Sequence, residues 1–357
     1  MILVTVRDVM WRWRRFLIAL LATAVILALT LVLDGVSRSF GKEATRTVAA
    51  LQADEWLVPD GGTSVFLSSA VMPGDALQRS AAAPGVKAAE SVAVVHADLR
   101  VHADDPAADV NLIGLSDPTG PAGATALPRP HLVDGRWPAA QWETTAERSL
   151  GVHLGDPILV AGRELTVVGH TDGITYTAGI PVAFVRLPDA QSIGYGGAGL
   201  VTAVAVAGHA TTMPDGLSSL SNEQVRDNLL VPLGDAASTI QLILDLLWLV
   251  AVMVIGSVVY LTSLDRTRDF AVLKATGATN GSLLGGLALQ AGLLSGGAAL
   301  LSIVVAQLLV PVVPVRTELE PTSYVVLGVV AIGVAVLSSL VSVRRTLAID
   351  PALAFAG

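Results

Sequence analysis

Four long apolar runs interrupt a chain that is otherwise polar. They cover about 16–33, 240–264, 282–310 and 323–343, and a polar stretch of about 200 residues separates the first run from the other three. Eighteen residues of α-helix extend roughly 27 Å at about 1.5 Å per residue, close to the thickness of a bilayer's hydrocarbon core. The pattern therefore predicts four transmembrane helices, with one folded domain between helix 1 and helix 2.

Basic residues beside these runs predict which side of the membrane each segment faces, because Lys and Arg are enriched in cytoplasmic loops. Such clusters precede the first run, separate the second from the third, and follow the fourth. Their members are Arg7, Arg12, Arg14, Arg15, Arg266, Arg268, Lys274, Arg344 and Arg345. We therefore expect a multi-pass membrane protein, with both termini cytoplasmic and the polar domain outside.

This orientation divides the chain into nine predicted segments. They are a cytoplasmic N-terminus at 1–15, transmembrane helix 1 at 16–33, an extracytoplasmic domain at 34–236, transmembrane helix 2 at 237–264, a cytoplasmic loop at 265–281, transmembrane helix 3 at 282–310, an outer loop at 311–322, transmembrane helix 4 at 323–343, and a cytoplasmic tail at 344–357.

Composition narrows the class of protein further. Charged residues make up 15% of the 357-residue chain, against about 25% in soluble domains, and the mean hydropathy is +0.64. The formal net charge of −8 argues against nucleic acid as a partner, because phosphate binding needs clustered basic residues. The chain has no Cys, which excludes disulfides, thiolate catalysis and Cys-ligated metal sites.

The polar insert has the pattern of a mixed α+β domain. Apolar residues at Phe40, Ala44, Val48 and Leu51 follow the spacing of one helical face, which predicts a stalk helix continuing helix 1 outward. Short apolar strands follow, with a hairpin turning at 161–162, and the Pro- and Gly-rich stretch 117–130 is interpreted as a linker. A second stalk over 222–236, interrupted at Pro232, is expected to lead into helix 2. The polar insert is acidic overall, with 12 basic and 22 acidic residues over 35–236.

No enzyme motif is present. Gly41-Lys42 is followed by Glu43 rather than Ser or Thr, so it is not a phosphate-binding loop. The run 194–199 matches G-x-G-x-x-G but opens no evident helix, and we interpret it as a turn. His102 and His170 lie near Asp residues without a diagnostic ligand spacing, so we expect no metal site and no catalytic residue.

Two features inside the apolar runs suggest helix contacts. Helix 3 carries the pairs Gly281/Gly285 and Gly292/Gly296, and G-x-x-x-G spacing allows close helix packing in membranes, within one chain or across a dimer. Asp245 is an intramembrane polar residue that we expect to face other helices, water or a partner rather than lipid. Shallow placement near the outer interface is the alternative interpretation.

Four stretches of the chain resemble the MacB/FtsX-type permeases, the membrane subunits of type VII ABC systems. The cytoplasmic segment DRTRDFAVLKATGAT at 265–279 is similar to that family's R-x-x-E-F/I-G-I-L-K/R-A-x-G-A. The outer sequences GRWP at 135–138 and GVHLGDPILV at 151–160, and the tail IDPALA at 349–354, also resemble family motifs. Asp269 and Ala271 depart from the usual Glu and Gly. Without a fused ATPase domain, the chain looks closest to the shorter DevC-like form.

The resemblance implies that the 265–281 loop couples the permease to its ATPase. An apolar knob framed by charges fits a groove on a soluble partner, while an amphipathic helix on the inner leaflet is the alternative. The coupling residues are Asp265, Arg266, Arg268, Asp269, Phe270, Leu273 and Lys274. On this basis the chain needs no cofactor of its own, and ATP and Mg belong to the partner ATPase.

The resemblance further implies a permease subunit of the bacterial inner (plasma) membrane that works as a homodimer with two copies of a separate ABC ATPase, embedded in membrane lipid. Mechanotransmission would carry nucleotide-driven motion to the outer domain, for export or extracytoplasmic handling of an apolar or amphiphilic substrate. Two alternatives stay open: a small-solute permease, for example for amino acids, and an FtsX-like signalling protein that activates a cell-wall hydrolase. An extracytoplasmic partner protein is a further candidate.

Overall fold

The computed structural model describes residues 13–67, 70–102, 105–116, 127–265, 272, 279–313, 317 and 319–347. The chain forms two compact units, one from Met1–Ser39 with Ala236–Gly357 and the other from Phe40–Asp235. We call the first the membrane unit and the second, after the location predicted for it, the outer domain.

Long helices account for most of the membrane unit. The helices of the whole described chain are α1 (Trp13–Ala50), α2 (Ala76–Ala81), α3 (Leu187–Tyr195), α4 (Asn222–Leu230), α5 (Gly234–Asp265), α6 (Asn280–Leu309) and α7 (Pro321–Leu347), with single 3-10 turns at Arg148–Leu150, Val231–Leu233 and Val310–Val312. α1 is unbroken over 38 residues, which confirms the predicted stalk as a continuation of the first apolar run. The 3-10 turn between α4 and α5 contains Pro232, as predicted, because proline cannot continue the α-helical hydrogen-bond pattern.

Three of these helical stretches are long and apolar enough to cross a membrane, namely Phe16–Ala50, Asn222–Val258 and Ala288–Val312. The start of α7, Pro321–Gly333, is a shorter apolar helix. Three apolar spans are therefore established by length and composition, and the fourth remains a prediction.

The core of the membrane unit is built from small and aliphatic side chains. α1 buries Ala24, Leu27, Ala28 and Leu31, a spacing that places them on one helical face. Their partners in the same cluster include Ala251 of α5, Ala298 and Ala306 of α6, and Leu327 and Ala331 of α7. Small residues let the backbones approach closely, which is how helices pack in the absence of water.

The outer domain is organised around one mixed sheet. Its strands are β1 (Glu55–Pro59), β3 (Val86–Arg100), β4 (Ala108–Leu115), β5 (Asp134–Gly135), β6 (Glu143–Glu147), β7 (Pro157–Val160), β8 (Arg163–Thr171), β9 (Thr175–Tyr176), β10 (Ile180–Arg186), β12 (Ala203–Gly208) and β13 (Leu217–Ser221), while β2 (Met72–Pro73) pairs with β11 (Leu200–Val201) separately. Within the described residues the main order is β13-β1-β12-β3-β4-β10-β6-β8-β5. The pairs β4/β10 and β6/β8 are parallel, and the others are antiparallel.

Apolar side chains cover both faces of this sheet. On β4, Val110 and Leu112 join one buried cluster, and Ile113 and Leu115 join the other. The first cluster also contains Leu165 and Ile158, and the second contains Trp56, Phe66, Tyr176 and Phe184. Successive side chains of a strand point to opposite faces, so a central strand in a two-faced core is apolar at nearly every position.

Local signals located several elements correctly. The 161–162 turn joins β7 to β8, with φ of 47° at Ala161 and 75° at Gly162, the conformation that a two-residue hairpin favours. The G-x-G-x-x-G run belongs to the end of α3: Gly194 is its penultimate residue, and Gly196, with φ of 61°, caps it. The turn therefore covers only the part of the run that follows α3, starting at Gly196. α3, β6 and β13 were not predicted.

Candidate functional site

The predicted coupling segment falls largely outside the described residues. Asp265 is the last residue of α5. The other predicted coupling residues lie outside the described ranges: Arg266, Arg268, Asp269, Phe270, Leu273 and Lys274. Their role in coupling stays a prediction from the sequence.

The four glycines of the predicted packing motifs make no close helix contact within the described residues. A Cβ placed on Gly281, Gly285, Gly292 or Gly296 would meet no atom within 4 Å. The glycine that does meet a neighbouring helix is Gly297, whose Cβ would lie 3.0 Å from Leu20 Cδ1. The paired glycines are therefore open to lipid or to a second chain, and their predicted packing role is not tested by contacts within one chain.

Asp245 lies on an exposed face of α5. Its Oδ1 accepts a hydrogen bond from Gln241 Nε2 at 3.0 Å, one helical turn earlier. The apolar side chains beside this pair are exposed as well, including Leu242 and Leu246. The pair thus forms a polar patch on an exposed, apolar face of α5. That Asp245 faces other helices, water or a partner rather than lipid stays a prediction.

Near the end of its apolar run, α1 carries a carboxylate that contacts a second helix. Asp34 Oδ2 accepts a hydrogen bond from Ser323 Oγ of α7 at 2.8 Å and another from Arg38 Nε at 2.9 Å. Ser323 is buried. The contact ties the first turn of α7 to α1 at the point where the apolar run ends.

The outer part of α1 holds a strained hairpin loop of the outer domain. Glu43 Oε2 accepts a hydrogen bond from the Gly179 backbone N–H at 3.0 Å, and Thr47 Oγ1 donates to the Thr175 carbonyl at 2.8 Å. Between these contacts, Thr177 and Ala178 have φ of 56° and 64°, a left-handed conformation that side-chain-bearing residues avoid. Such strain persists where surrounding contacts fix it, so α1 fixes the conformation of this loop.

The second stalk is attached to the same domain through Asn222, beside the core contacts of Val225 and Leu229. Asn222, the first residue of α4, accepts a hydrogen bond from Trp56 Nε1 at 2.7 Å and donates to the Ala53 carbonyl at 2.7 Å. Ser221 and Gln224 cap the helix reciprocally, which fixes where α4 begins. Both chain segments that lead to the membrane unit are therefore anchored by buried or half-buried polar contacts. No sequence signal distinguished Glu43, Thr47 or Asn222 from ordinary solvated residues.

A buried ion pair joins Glu90, in the first half of β3, to Arg129. Glu90 is 3% exposed, and its Oε1 lies 2.7 Å from a guanidinium nitrogen of Arg129. Burial raises the pKa of Glu90 to about 7, and this effect outweighs the opposing attraction of Arg129. Arg129 also donates to the Ser116 carbonyl and lies over the Trp137 ring, 5.8 Å from its centroid.

The two histidines that the sequence places near Asp residues, His102 and His170, both contact other protein groups. His170 is buried, and its Nδ1 lies 2.6 Å from Asp134 Oδ1 while Nε2 lies 3.0 Å from the Val152 carbonyl. His102 pairs with Asp105 at 2.9 Å on the surface. Across the described ranges, no group of three or more His, Asp and Glu residues is arranged to hold a metal ion.

Comparison with known proteins decides the family. Residues 242–351 match the family model "FtsX-like permease C-terminal". The chain is 35% identical over 357 residues to the uncharacterized ABC transporter permease Rv0072 of Mycobacterium tuberculosis (strain ATCC 25618 / H37Rv), and 36% identical to Rv2563 of the same strain, each covering 100% of both chains. The chain belongs to the FtsX-like ABC transporter permeases. The predicted MacB/FtsX-type resemblance is thereby confirmed.

Two solved structures are similar to the outer domain of this permease. They are the extracellular domain of the noncanonic ABC-type transporter YknZ from Gram-positive bacteria, and the periplasmic region of MacB from Actinobacillus actinomycetemcomitans. The first is 16% identical with a TM-score of 0.32, covering 44% of this chain and 84% of that one. The second is 8% identical with a TM-score of 0.33, covering 52% of this chain and 96% of that one.

Proposed function

We propose that this permease is the membrane subunit of a bacterial ABC transporter that works by mechanotransmission. Two copies of the chain would associate with two copies of a separate ATPase at the cytoplasmic side of the cell membrane, with both termini cytoplasmic. Four transmembrane helices would carry nucleotide-driven motion to the outer domain. The outcome would be export or extracytoplasmic handling of an apolar or amphiphilic molecule.

The observation that carries this proposal is the continuity of α1. The same 38-residue helix contains the apolar run and the residues that contact the outer domain at Glu43 and Thr47. A continuous helix transmits displacement along its axis better than a flexible linker does, because each backbone hydrogen bond resists stretching. The apolar clustering of small side chains in the membrane unit further favours a substrate handled outside that unit.

The stalk contact can be tested by a matched pair of threonine variants. Thr47→Val removes the buried hydrogen bond to the Thr175 carbonyl, whereas Thr45→Val removes only an exposed bond to the Gly41 carbonyl of the same helix. In proteoliposomes with the partner ATPase, we expect Thr47→Val to lower the amphiphile moved per ATP hydrolysed roughly severalfold, and Thr45→Val to leave it unchanged. Equal transport by both variants would contradict transmission through this contact.

The coupling segment can be tested by association with the ATPase. Because the centre of a docking surface carries most of its binding energy, Phe270→Ala is expected to weaken association by about 1–3 kcal/mol. Asp269→Lys is expected to reduce ATP hydrolysis in lipid through altered charge contacts. Unchanged pull-down and unchanged hydrolysis in both variants would favour a helix lying on the inner leaflet instead.

The same proteoliposomes distinguish the alternatives. A small-solute permease would move a soluble compound such as an amino acid. With an FtsX-like signalling protein, the partner ATPase would hydrolyse ATP while no solute moved. In the signalling case, an extracytoplasmic cell-wall hydrolase added to the proteoliposomes should be more active when ATP is supplied than when it is not.

A further inference from the structure

A small cavity opens at the carboxyl ends of the parallel strands β4 and β10. Its volume is about 210 Å³. The residues that line it are Leu115, Ser116, Arg129, Trp137, Pro138, Ala139, Val185 and Arg186. Two of these eight residues are basic, one is a large aromatic residue, and none is acidic. Over the outer domain as a whole, acidic residues outnumber basic ones, so this lining is cationic against the trend of its surroundings.

One of the two basic side chains of the cavity, Arg129, is held in place. Glu90 pairs with Arg129 at 2.7 Å, and the Trp137 ring lies against the guanidinium. Trp137 packs edge-on against Phe184, with ring centroids 5.3 Å apart, which fixes the indole. A guanidinium has five N–H donors, so the contacts of Arg129 to Glu90 and to the Ser116 carbonyl leave donors for a ligand.

The size and the lining together identify a class of ligand. Ligand sites for whole drug-sized molecules occupy about 300–1,000 Å³, so this cavity fits a head group rather than a complete amphiphile. Guanidinium groups recognise carboxylates and phosphates, and an indole face packs against the apolar atoms next to them. The acidic surface of the domain disfavours contact with an anionic bilayer surface, so single molecules suit the cavity better.

We propose that this cavity binds the acidic head group, a carboxylate or a phosphate, of a single amphiphilic molecule. Arg129 and Arg186 contact the acidic group, and Trp137 contacts the apolar part beside it. This inference deepens the proposed function by giving the amphiphile a point of contact on the outer domain. Binding can be measured without ATP or an ATPase, so the inference and the coupling proposal can fail independently.

Glu90 makes the binding depend on pH. In the described residues, the charged group that faces Glu90 is Arg129; the Leu127 backbone N–H is its other polar contact, and the neighbouring strand places Ala205 opposite it. Ionised Glu90 competes with an anion for the charge of Arg129, and protonated Glu90 does not. Since the pKa of Glu90 is about 7, affinity for an anion rises as the pH falls from 8 to 6. The Asp189 carboxyl group interacts electrostatically with Arg186, the other basic residue of the cavity. A variant of Glu90 distinguishes the contribution of Glu90 to the pH dependence from that of Asp189.

The test is calorimetric titration of the full chain in phosphatidylcholine nanodiscs, with empty nanodiscs subtracted. Hexanoate and hexyl phosphate are the probes for the two acidic groups, and 1-hexanol is the neutral control. We expect Arg186→Gln and Arg129→Gln each to weaken binding roughly tenfold or more, since hydrogen bonds to charged groups are strong. Arg163→Gln is the matched control, because Arg163 lies over the Trp142 ring outside the cavity.

The pH arm uses hexanoate, whose charge is constant over the range. Wild type is expected to bind on the order of tenfold more tightly at pH 6 than at pH 8, the change that a one-unit shift in the Glu90 pKa on binding produces. Glu90→Gln should bind tightly at both values and lose the dependence. Arg129→Gln leaves Glu90 buried without its partner. If the Arg129→Gln variant does not fold for this reason, Arg186→Gln decides the result. Equal affinity of wild type and Arg186→Gln, or equal binding of 1-hexanol, would overturn the proposal.

Discussion

At the scale of single residues, the outer domain holds a carboxyl group in an environment that disfavours its charge. Glu90 is buried beside β12, and the nearby guanidinium of Arg129 compensates only in part for the loss of water. Desolvation therefore dominates, which explains why an ion pair at 2.7 Å accompanies a raised rather than a lowered pKa. Glu143 is the opposite case: its side chain is only 14% exposed, yet Arg136 together with two backbone N–H groups lowers its pKa to about 2.

The raised pKa of Glu90 predicts a loss of stability as the pH rises. The folded state holds the proton more tightly than the unfolded state, whose value is 4.5, so the stabilisation is complete below pH 4.5 and is lost as the pH approaches about 7. The difference corresponds to about 3 kcal/mol in the free energy of unfolding. Thermal unfolding at pH 5 and pH 7.5 should show this decline in wild type and a smaller one in Glu90→Gln. Parallel declines would contradict the assignment.

At the scale of elements, glycine explains how α3 packs on the sheet. A Cβ on Gly194 would lie 2.4 Å from Val95 Cγ2, and a Cβ on Gly114 would lie 2.4 Å from Ala190 Cβ. Both distances are shorter than any ordinary carbon contact, so α3 reaches the sheet only because these positions lack side chains. The G-x-G-x-x-G run therefore reflects packing and helix capping.

This interpretation predicts different effects for two glycines of the same run. Gly194→Ala forces Val95 or α3 to move and should lower the free energy of unfolding by about 1–3 kcal/mol, despite the higher helix propensity of alanine. Gly199→Ala meets no atom within 4 Å and should change stability little. Chemical denaturation of the two variants is the measurement. A Gly194→Ala variant as stable as wild type would contradict the close approach of α3 to Val95.

The glycines of α6 predict a separation between folding and assembly. Gly297 is close to Leu20 of the same chain, so Gly297→Leu should lower thermal stability. Gly296 has open space around it, so Gly296→Leu should leave the fold of one chain intact and reduce the fraction of dimer, if the glycine face meets a second copy. Sedimentation in detergent measures the dimer fraction, with Leu293→Ile as the control. An unchanged dimer fraction in Gly296→Leu would assign this face to lipid.

The elements that could be predicted are those specified by local sequence. The α1 stalk, the Pro232 interruption and the 161–162 turn each depend on residues within a few positions of one another. β13 was not predictable, because its Leu-Ser-Ser-Leu-Ser sequence is polar and its pairing partner β1 lies about 160 residues away. β6 is polar yet buried: Thr145 Oγ1 accepts a hydrogen bond from the Phe184 N–H at 3.1 Å, which only the folded sheet supplies. The cavity and the α1 contacts were missed for the same reason.

At the scale of the whole molecule, the orientation in the membrane is predicted from the basic flanks and is testable in this Cys-free chain. Ala107→Cys places a thiol in an exposed part of the outer domain, and Thr279→Cys places one just before α6. With an impermeant thiol reagent on intact cells, we expect labelling at 107 and none at 279 until the cells are opened. Wild type should stay unlabelled, and labelling of both positions from outside would refute the four-helix topology.

The ends of the sheet have a consequence for copies of the domain at high density. The order ends in β13, five residues long and rich in serine, and in β5, only two residues long. Exposed strand edges are templates for aggregation, and short or polar edges offer little to pair with. The excess of ten acidic over basic residues across 35–236 adds mutual repulsion. Neighbouring copies should therefore stay colloidally dispersed even at high density, without strand exchange between them.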